Sequence, residues 1–122
     1  MLTFTIMKNI LICENDEDIV FACRVFLENR KYKVTVCKST DELFEKLNTE
    51  LPDLILMDIW IPTQGGEEAT KIIKKSPKYQ SVKIFMFSAN SELEAITKRA
   101  GADGFLAKPF NLSQLLEIVE KA

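Results

Sequence analysis

Five short apolar runs, Ile10 to Cys13, Val34 to Cys37, Leu54 to Met57, Val82 to Phe87 and Phe105 to Ala107, alternate with stretches of helical periodicity. This alternation constrains the fold more than any other feature of the chain. The first, third and fourth runs are nearly continuous in apolar residues, as expected of parallel strands covered by helices on both faces. Between the runs, Ile19, Ala22, Cys23, Phe26 and Leu27 form one stripe at helical spacing, and Leu43, Phe44 and Leu47 a shorter one. Ser39-x-x-Glu42, Ser91-x-x-Glu94 and Asn111-x-x-Gln114 place a capping side chain three residues before a Glu or Gln, so each predicts a helix start. Pro52, Pro77 and Gly101 mark the ends of the second, third and fourth helices. Five strand-helix units in 122 residues predict one domain over residues 1–122, an open doubly wound sheet of five parallel strands. A closed barrel needs eight strands and roughly 250 residues. Residues 1–7 are either a leader or a lengthening of the first strand.

Composition narrows the classes of function. The chain is 47% hydrophobic and 28% charged, an ordinary globular balance that favours neither disorder nor a membrane protein. Its formal net charge of -2 offers no basic field for a nucleic-acid backbone, so no nucleic acid is expected as partner of this chain alone. The opening M-L-T-F-T-I lacks the pattern of a signal peptide, and no run approaches the ~18 apolar residues of a membrane span. The expected location is the cytoplasm, without membrane contact. Cys13, Cys23 and Cys37 lie in apolar segments, with no C-x-x-C and no histidine to complete a zinc site. They read as reduced core residues.

In doubly wound sheets, sites form beyond the carboxyl ends of the strands. The residues just after each run there are Glu14, Asn15 and Asp16, then Asp58, Ser88 and Lys108. Asp58 closes the otherwise apolar D-L-I-L-M-D and suits a positioned nucleophile or ligand. Taken alone it also fits a turn cap toward Pro62; polar groups on three other strand ends favour the site. Glu17 and Asp18 suit the positive end of a helix dipole. Glu14 and Asn15, nearer the strand end and facing Asp58, form an oxygen-rich pair suited to a hard cation such as Mg²⁺. Ser88 offers a hydroxyl and Lys108 a compact positive charge, which suit the oxygens of a phosphoryl group in transfer.

I-L-I-C-E-N-D-E-D, P-D-L-I-L-M-D-I-W-I-P, F-S-A and G-A-D-G-F-L-A-K-P-F, in that order, resemble the receiver domain of two-component response regulators from Lys8 onward. The resemblance implies a flavodoxin-like three-layer αβα fold. It implies that Asp58 is the modified residue, phosphorylated from the phosphohistidine of a sensor histidine kinase or phosphotransfer protein. Mg²⁺ would be held by Glu14, Asn15, Asp58 and the carbonyl of Trp60, and Ser88 and Lys108 would contact the phosphoryl oxygens. Lys108-Pro109 would be a cis peptide. Ser88 and Phe105 would switch between two states and signal to a downstream partner or output domain, with phosphorylation-linked homodimerisation open. Such a chain is no dedicated enzyme; at most it catalyses its own phosphorylation and dephosphorylation.

Three residues depart from the family pattern. Asn15 stands where a second carboxylate is usual, which predicts weaker Mg²⁺ binding and raises the alternative of a degenerate receiver, a phosphorylation-independent interaction module. Asp16 is expected to point elsewhere. Trp60 places a bulky indole two residues past Asp58, which predicts a shielded acyl phosphate that hydrolyses slowly. Phe105 stands where Tyr is frequent, leaving burial of the ring rather than a hydroxyl to set the switch. Other enzymes on this scaffold fit less well. A flavin or nucleotide enzyme calls for a Gly- or Ser/Thr-rich first loop, which here is acidic. An aspartyl phosphatase calls for D-x-D, and this chain has Asp58-Ile59-Trp60. Leu93, Ile96, Leu112, Leu115, Leu116 and Val119 read as mostly core by their spacing rather than as a docking face.

Overall fold

Continuous apolar strands make sense only if both faces of the sheet are covered, and that is the arrangement found. The computed structural model describes residues 8–122, so the choice between leader and strand extension for residues 1–7 lies outside the described residues. In chain order the elements are β1 (Asn9–Cys13), α1 (Glu17–Asn29), β2 (Lys33–Cys37), α2 (Thr40–Leu47), β3 (Leu54–Asp58), α3 (Gly66–Lys75), β4 (Lys83–Ser88), α4 (Leu93–Ala100), β5 (Gly104–Ala107) and α5 (Leu112–Lys121). A short 3-10 turn at Pro77–Tyr79 links α3 to β4. All five strands are parallel, in the order β2-β1-β3-β4-β5.

Successive side chains of a strand point to opposite faces. Ile10, Ile12, Leu54 and Leu56 pack with Cys23 and Leu27 of α1 and Leu115 and Val119 of α5. Leu11, Ile55 and Met57 pack on the other face with residues of α2, α3 and α4, among them Leu43, Ile73 and Ile96. Each such aliphatic side chain, fully buried, contributes about 1.5–3 kcal/mol. The stripe on α1 divides as its geometry requires: Cys23 and Leu27 are buried, Ile19 and Phe26 half-buried, and Ala22 exposed.

Two of the three expected caps form. Ser39 Oγ accepts the Glu42 N–H at 3.1 Å. Asn111 and Gln114 make a reciprocal capping box, both bonds 2.9 Å long. The third, Ser91-x-x-Glu94, does not: α4 begins at Leu93, and no side chain caps it. Asn90 takes over that region, its Oδ1 accepting the Glu92 N–H at 2.7 Å and its carbonyl the Leu93 N–H at 3.1 Å. Asn90 can do so because Asn side chains mimic a backbone turn. Gly101 closes α4 in the left-handed region at φ 79°, as its position predicts.

The strands β3 and β4 run one residue beyond the apolar runs, so Asp58 and Ser88 are the last residues of their strands. The loop after Asp58 is held from two sides. Thr40, at the start of α2, accepts the N–H groups of Thr63 and Gln64 on its Oγ1, both at 3.1 Å. Gly66 opens α3 directly against β3, and a Cβ there would lie 2.2 Å from the Asp58 carbonyl oxygen. Only glycine fits that approach. Gly66→Ala is therefore expected to lower unfolding stability by about 1–3 kcal/mol in urea titration. Unchanged stability would show that α3 is free to back away from Asp58.

Candidate functional site

Glu14 follows β1, Asp58 ends β3, Ser88 ends β4 and Lys108 follows β5. The order β2-β1-β3-β4-β5 reverses direction between β1 and β3, and a crevice at such a reversal is where doubly wound sheets bind ligands. Glu14 and Asp58 stand on either side of it. Both are buried, at 1% and 5% exposure, and Ser88 is buried as well.

Lys108 joins the two carboxylates. Its backbone N–H donates to the Ser88 carbonyl at 2.9 Å, which extends the β4–β5 pairing by one residue. From there its ammonium donates to Glu14 Oε1 at 2.5 Å and stands 3.8 Å from Asp58 Oδ1. The same ammonium lies 4.7 Å over the ring of Phe87, a cation–π contact. The sequence pattern assigns Lys108 to the oxygens of a phosphoryl group; in this structure its ammonium rests on Glu14. The Lys108-Pro109 peptide is cis.

Glu14 Oε2 accepts the N–H groups of Asn15 and Asp16, each at 3.0 Å. Asp58 Oδ1 accepts the Trp60 N–H at 3.3 Å. Burial pushes the Asp58 carboxyl up to about 6, with repulsion from Glu14 adding to it and the Lys108 ammonium and Trp60 N–H working against it. Two buried carboxylates share one ammonium, so the site is short of positive charge. A hard divalent cation fits that donor set: Glu14 accepts three hydrogen bonds, fewer than a carboxylate's about four acceptor positions. Among the described residues no group of three or more Asp, Glu, Cys or His is placed to hold a metal, so this acidic pair would need Asn15, a backbone carbonyl or water to complete a shell.

Asn15 is exposed. Asp16 points away, as expected, capping α1 by accepting the N–H groups of Asp18 and Ile19 at 3.0 and 3.3 Å. Glu17 opens α1 and pairs with Lys38 at 3.1 Å. The indole of Trp60 is 68% exposed, which leaves little of the ring to shield Asp58 in this conformation. It lines a groove of about 720 Å³ with Asn90, Ile96 and Arg99, between the β3–α3 loop and α4. Phe105 is 40% exposed, so the buried position expected of a switching ring is not the one it occupies here.

Two further residues, Phe87 and Asn90, stand near the chemistry without being marked by any motif. Phe87, 1% exposed, underlies the Lys108 ammonium and meets Phe110 edge-on at 6.2 Å. Asn90 donates its N–H to Ser88 Oγ at 3.1 Å, leaving the hydroxyl proton free to donate elsewhere. The period-two alternation could have flagged Phe87, which must face away from Phe85's neighbours Ile84 and Met86. Nothing local singles out Asn90.

The fold and strand-end arrangement define a class of α/β domain typified by chemotaxis protein CheY4 of Vibrio cholerae, a solved structure matched at TM-score 0.87 and 25% identity, over 95% of this chain and 98% of that one. The chain belongs to the response regulator receiver domain family, whose model it matches over residues 10–120. It is accordingly a receiver domain of two-component signalling. It is similar to the transcriptional regulatory protein PhoP of Bacillus subtilis, 31% identical over 106 residues that make up 85% of this chain and 43% of PhoP. The chain also matches the sensor kinase/phosphatase CqsS of Vibrio cholerae, 28% identical over 92% of its own length and 17% of CqsS. It thus spans less than half the length of these relatives. A receiver domain of sensor histidine kinase PA1611 from Pseudomonas aeruginosa, described with a magnesium ion in its active site cleft, matches at TM-score 0.85 and 25% identity over 95% of this chain and 97% of that one. No helix among the described residues is long and apolar enough to cross a membrane.

The raised Asp58 pKa has a stability consequence. Because it rises from 3.8 to about 6, the folded state holds the Asp58 proton more tightly than the unfolded chain. Stability then falls as pH climbs through that window, and the deficit is complete above it. Asp58→Asn removes the buried charge. In EDTA at neutral pH this variant is expected to be about 1–3 kcal/mol more stable than wild type by chemical denaturation, the difference fading below about pH 4. A variant no more stable at pH 7 would mean that Asp58 ionises freely.

Proposed function

We propose that Asp58 accepts a phosphoryl group from a phosphohistidine on a sensor histidine kinase or phosphotransfer protein. The observation that carries this reading is one buried carboxylate at the β1/β3 crossover with an acidic neighbour on one side and a hydroxyl and an ammonium on the other. Glu14, Asn15, Asp58 and the carbonyl of Trp60 would hold Mg²⁺. Once bound, it supplies the positive charge that lets two carboxylates stay ionised beside an incoming phosphoryl group.

The chain's own residues do the rest. An Asp58 carboxylate oxygen attacks phosphorus as the phosphorus–nitrogen bond to histidine breaks, and the imidazole leaves with the electron pair. Asp58 Oδ1 is steadied by the Trp60 N–H. Lys108 has 3.8 Å to cover to Asp58, and moving off Glu14 toward the new phosphoryl oxygens brings its charge where charge accumulates. Ser88, its oxygen held by the Asn90 N–H, donates its hydroxyl proton to the same group. Moving Lys108 and Ser88 together gives the domain two states to signal with. The signal would pass to a downstream protein partner or an output domain, in the cytoplasm, with Phe105 on the exposed side of β5 able to report it and homodimerisation as one form of output.

Asn15 favours a second reading, a degenerate receiver that binds its partner without being phosphorylated, because one carboxylate that would draw in the cation is replaced by an amide. Intact-mass measurement separates the two. With a small phosphodonor and Mg²⁺, wild type is expected to gain about 80 Da, and Asp58→Ala or EDTA to prevent it. No adduct under forcing conditions would favour the interaction module. Restoring the charge with Asn15→Asp is expected to lower the Mg²⁺ concentration for half-maximal labelling several-fold. An unchanged requirement would place Asn15 outside the metal shell.

A further inference from the structure

We propose that Cys13 and Cys37 form a redox modification site that closes to an intramolecular disulfide when a hydroperoxide reaches it. They are register partners at the carboxyl ends of the neighbouring parallel strands β1 and β2. Both are fully buried, free, and on the same face of the sheet. Their sulfur atoms stand 2.8 Å apart. Directly opposed residues on adjacent strands are separated by about 4.8 Å, inside the ~4.4–6.8 Å between α-carbons that a disulfide spans. Closing to the ~2.05 Å bond therefore brings the sulfurs together by less than about 1 Å. Cys23 belongs to the opposite face and has no such partner.

Buried thiols are ordinarily inert because burial disfavours the nucleophilic thiolate and oxidants cannot reach the sulfur, and burial does push the Cys13 thiol well up. Here β2 is an edge strand of the sheet, and an edge that opens locally at less cost than the centre both admits a small neutral peroxide and returns the sulfur to water, where the thiolate can form. One sulfur, as thiolate, attacks the terminal hydroxyl oxygen of the peroxide, the oxygen–oxygen bond breaks, and the other oxygen takes up the thiol's proton and leaves as water or an alcohol while the sulfenic acid forms. The second sulfur then attacks the sulfenic sulfur, the sulfur–oxygen bond breaks, and water leaves. Two thiols are oxidised by two electrons, the peroxide is reduced by two, and a low-molecular-weight thiol reverses the reaction. The location couples the modification to the acidic site: Glu14 follows Cys13 in the chain, and its N–H donates to the Cys37 carbonyl at 3.1 Å. A closed disulfide grips both strands at the backbone that carries Glu14.

The test treats the folded wild-type chain with excess hydrogen peroxide, removes it, then denatures and alkylates without reductant. The expected result is one alkylatable thiol in place of three. A cross-linked Cys13–Cys37 peptide about 2 Da lighter than its two thiol peptides combined should appear, and dithiothreitol should abolish it. Cys23→Ser should still form the cross-link and Cys37→Ser should not; the wild-type peptide map decides even if Cys37→Ser fails to fold. Three alkylatable thiols after treatment, oxygen addition to Cys13 or Cys37 without cross-linking, or a cross-link through Cys23 or to a second chain would each overturn the proposal. None of these readouts involves phosphorylation of Asp58, so the outcome stands apart from that of the labelling experiment.

Discussion

The contact on which the rest of the site depends is the ion pair between Lys108 and Glu14, which links residues 94 positions apart at 2.5 Å. A buried ion pair gains little net energy, because two desolvated charges offset their own attraction, but losing one partner leaves the other exposed to the full penalty. The fold meets that demand by topology. Placing β1 and β3 side by side sets Glu14 next to Asp58, and stacking β4 and β5 outside β3 lets the long lysine stem reach back across Ser88 and Phe87 to both. Gly66 closes α3 against the Asp58 carbonyl from the other side. The chemistry therefore rests on elements drawn from the whole chain rather than on one loop.

Charge balance explains how such a site could work as a switch. One ammonium between two buried carboxylates is too little positive charge, and burial together with repulsion from Glu14 pushes the Asp58 carboxyl up to about 6. A divalent cation would relieve that deficit and a phosphoryl group would reintroduce negative charge, so each change would alter where Lys108 finds its best partner. An amide at Asn15 in place of a carboxylate would weaken the first of these steps and leave the second intact. The same reasoning separates Asp16, which the N-terminus of α1 already occupies, from the residues that remain available.

Much of this was legible in the sequence because it depends on local pattern. Apolar runs of strand length gave the β elements, their continuity gave a sheet covered on both faces, and the polar residues ending them gave Asp58, Ser88 and Lys108. Side-chain reach and register were not legible. Lys108 resting on Glu14, the indole of Trp60 turned to solvent, and Phe105 at 40% exposure depend on which residues the tertiary fold brings near. The Ser91 cap failed for a local reason, competition from Asn90, whose side chain closes the turn first. Cys13 and Cys37 read as two separate core residues until the β1–β2 register set them opposite one another.

Asp58 is a buried carboxylate beside too little positive charge, which a bound cation would supply. Its carboxyl carbon resonance, followed by NMR across pH with and without Mg²⁺, measures this directly. Titration near pH 6 in EDTA and a clear downward shift on adding Mg²⁺ are expected. Titration close to the ordinary aspartate value of 3.8, unmoved by Mg²⁺, would contradict this.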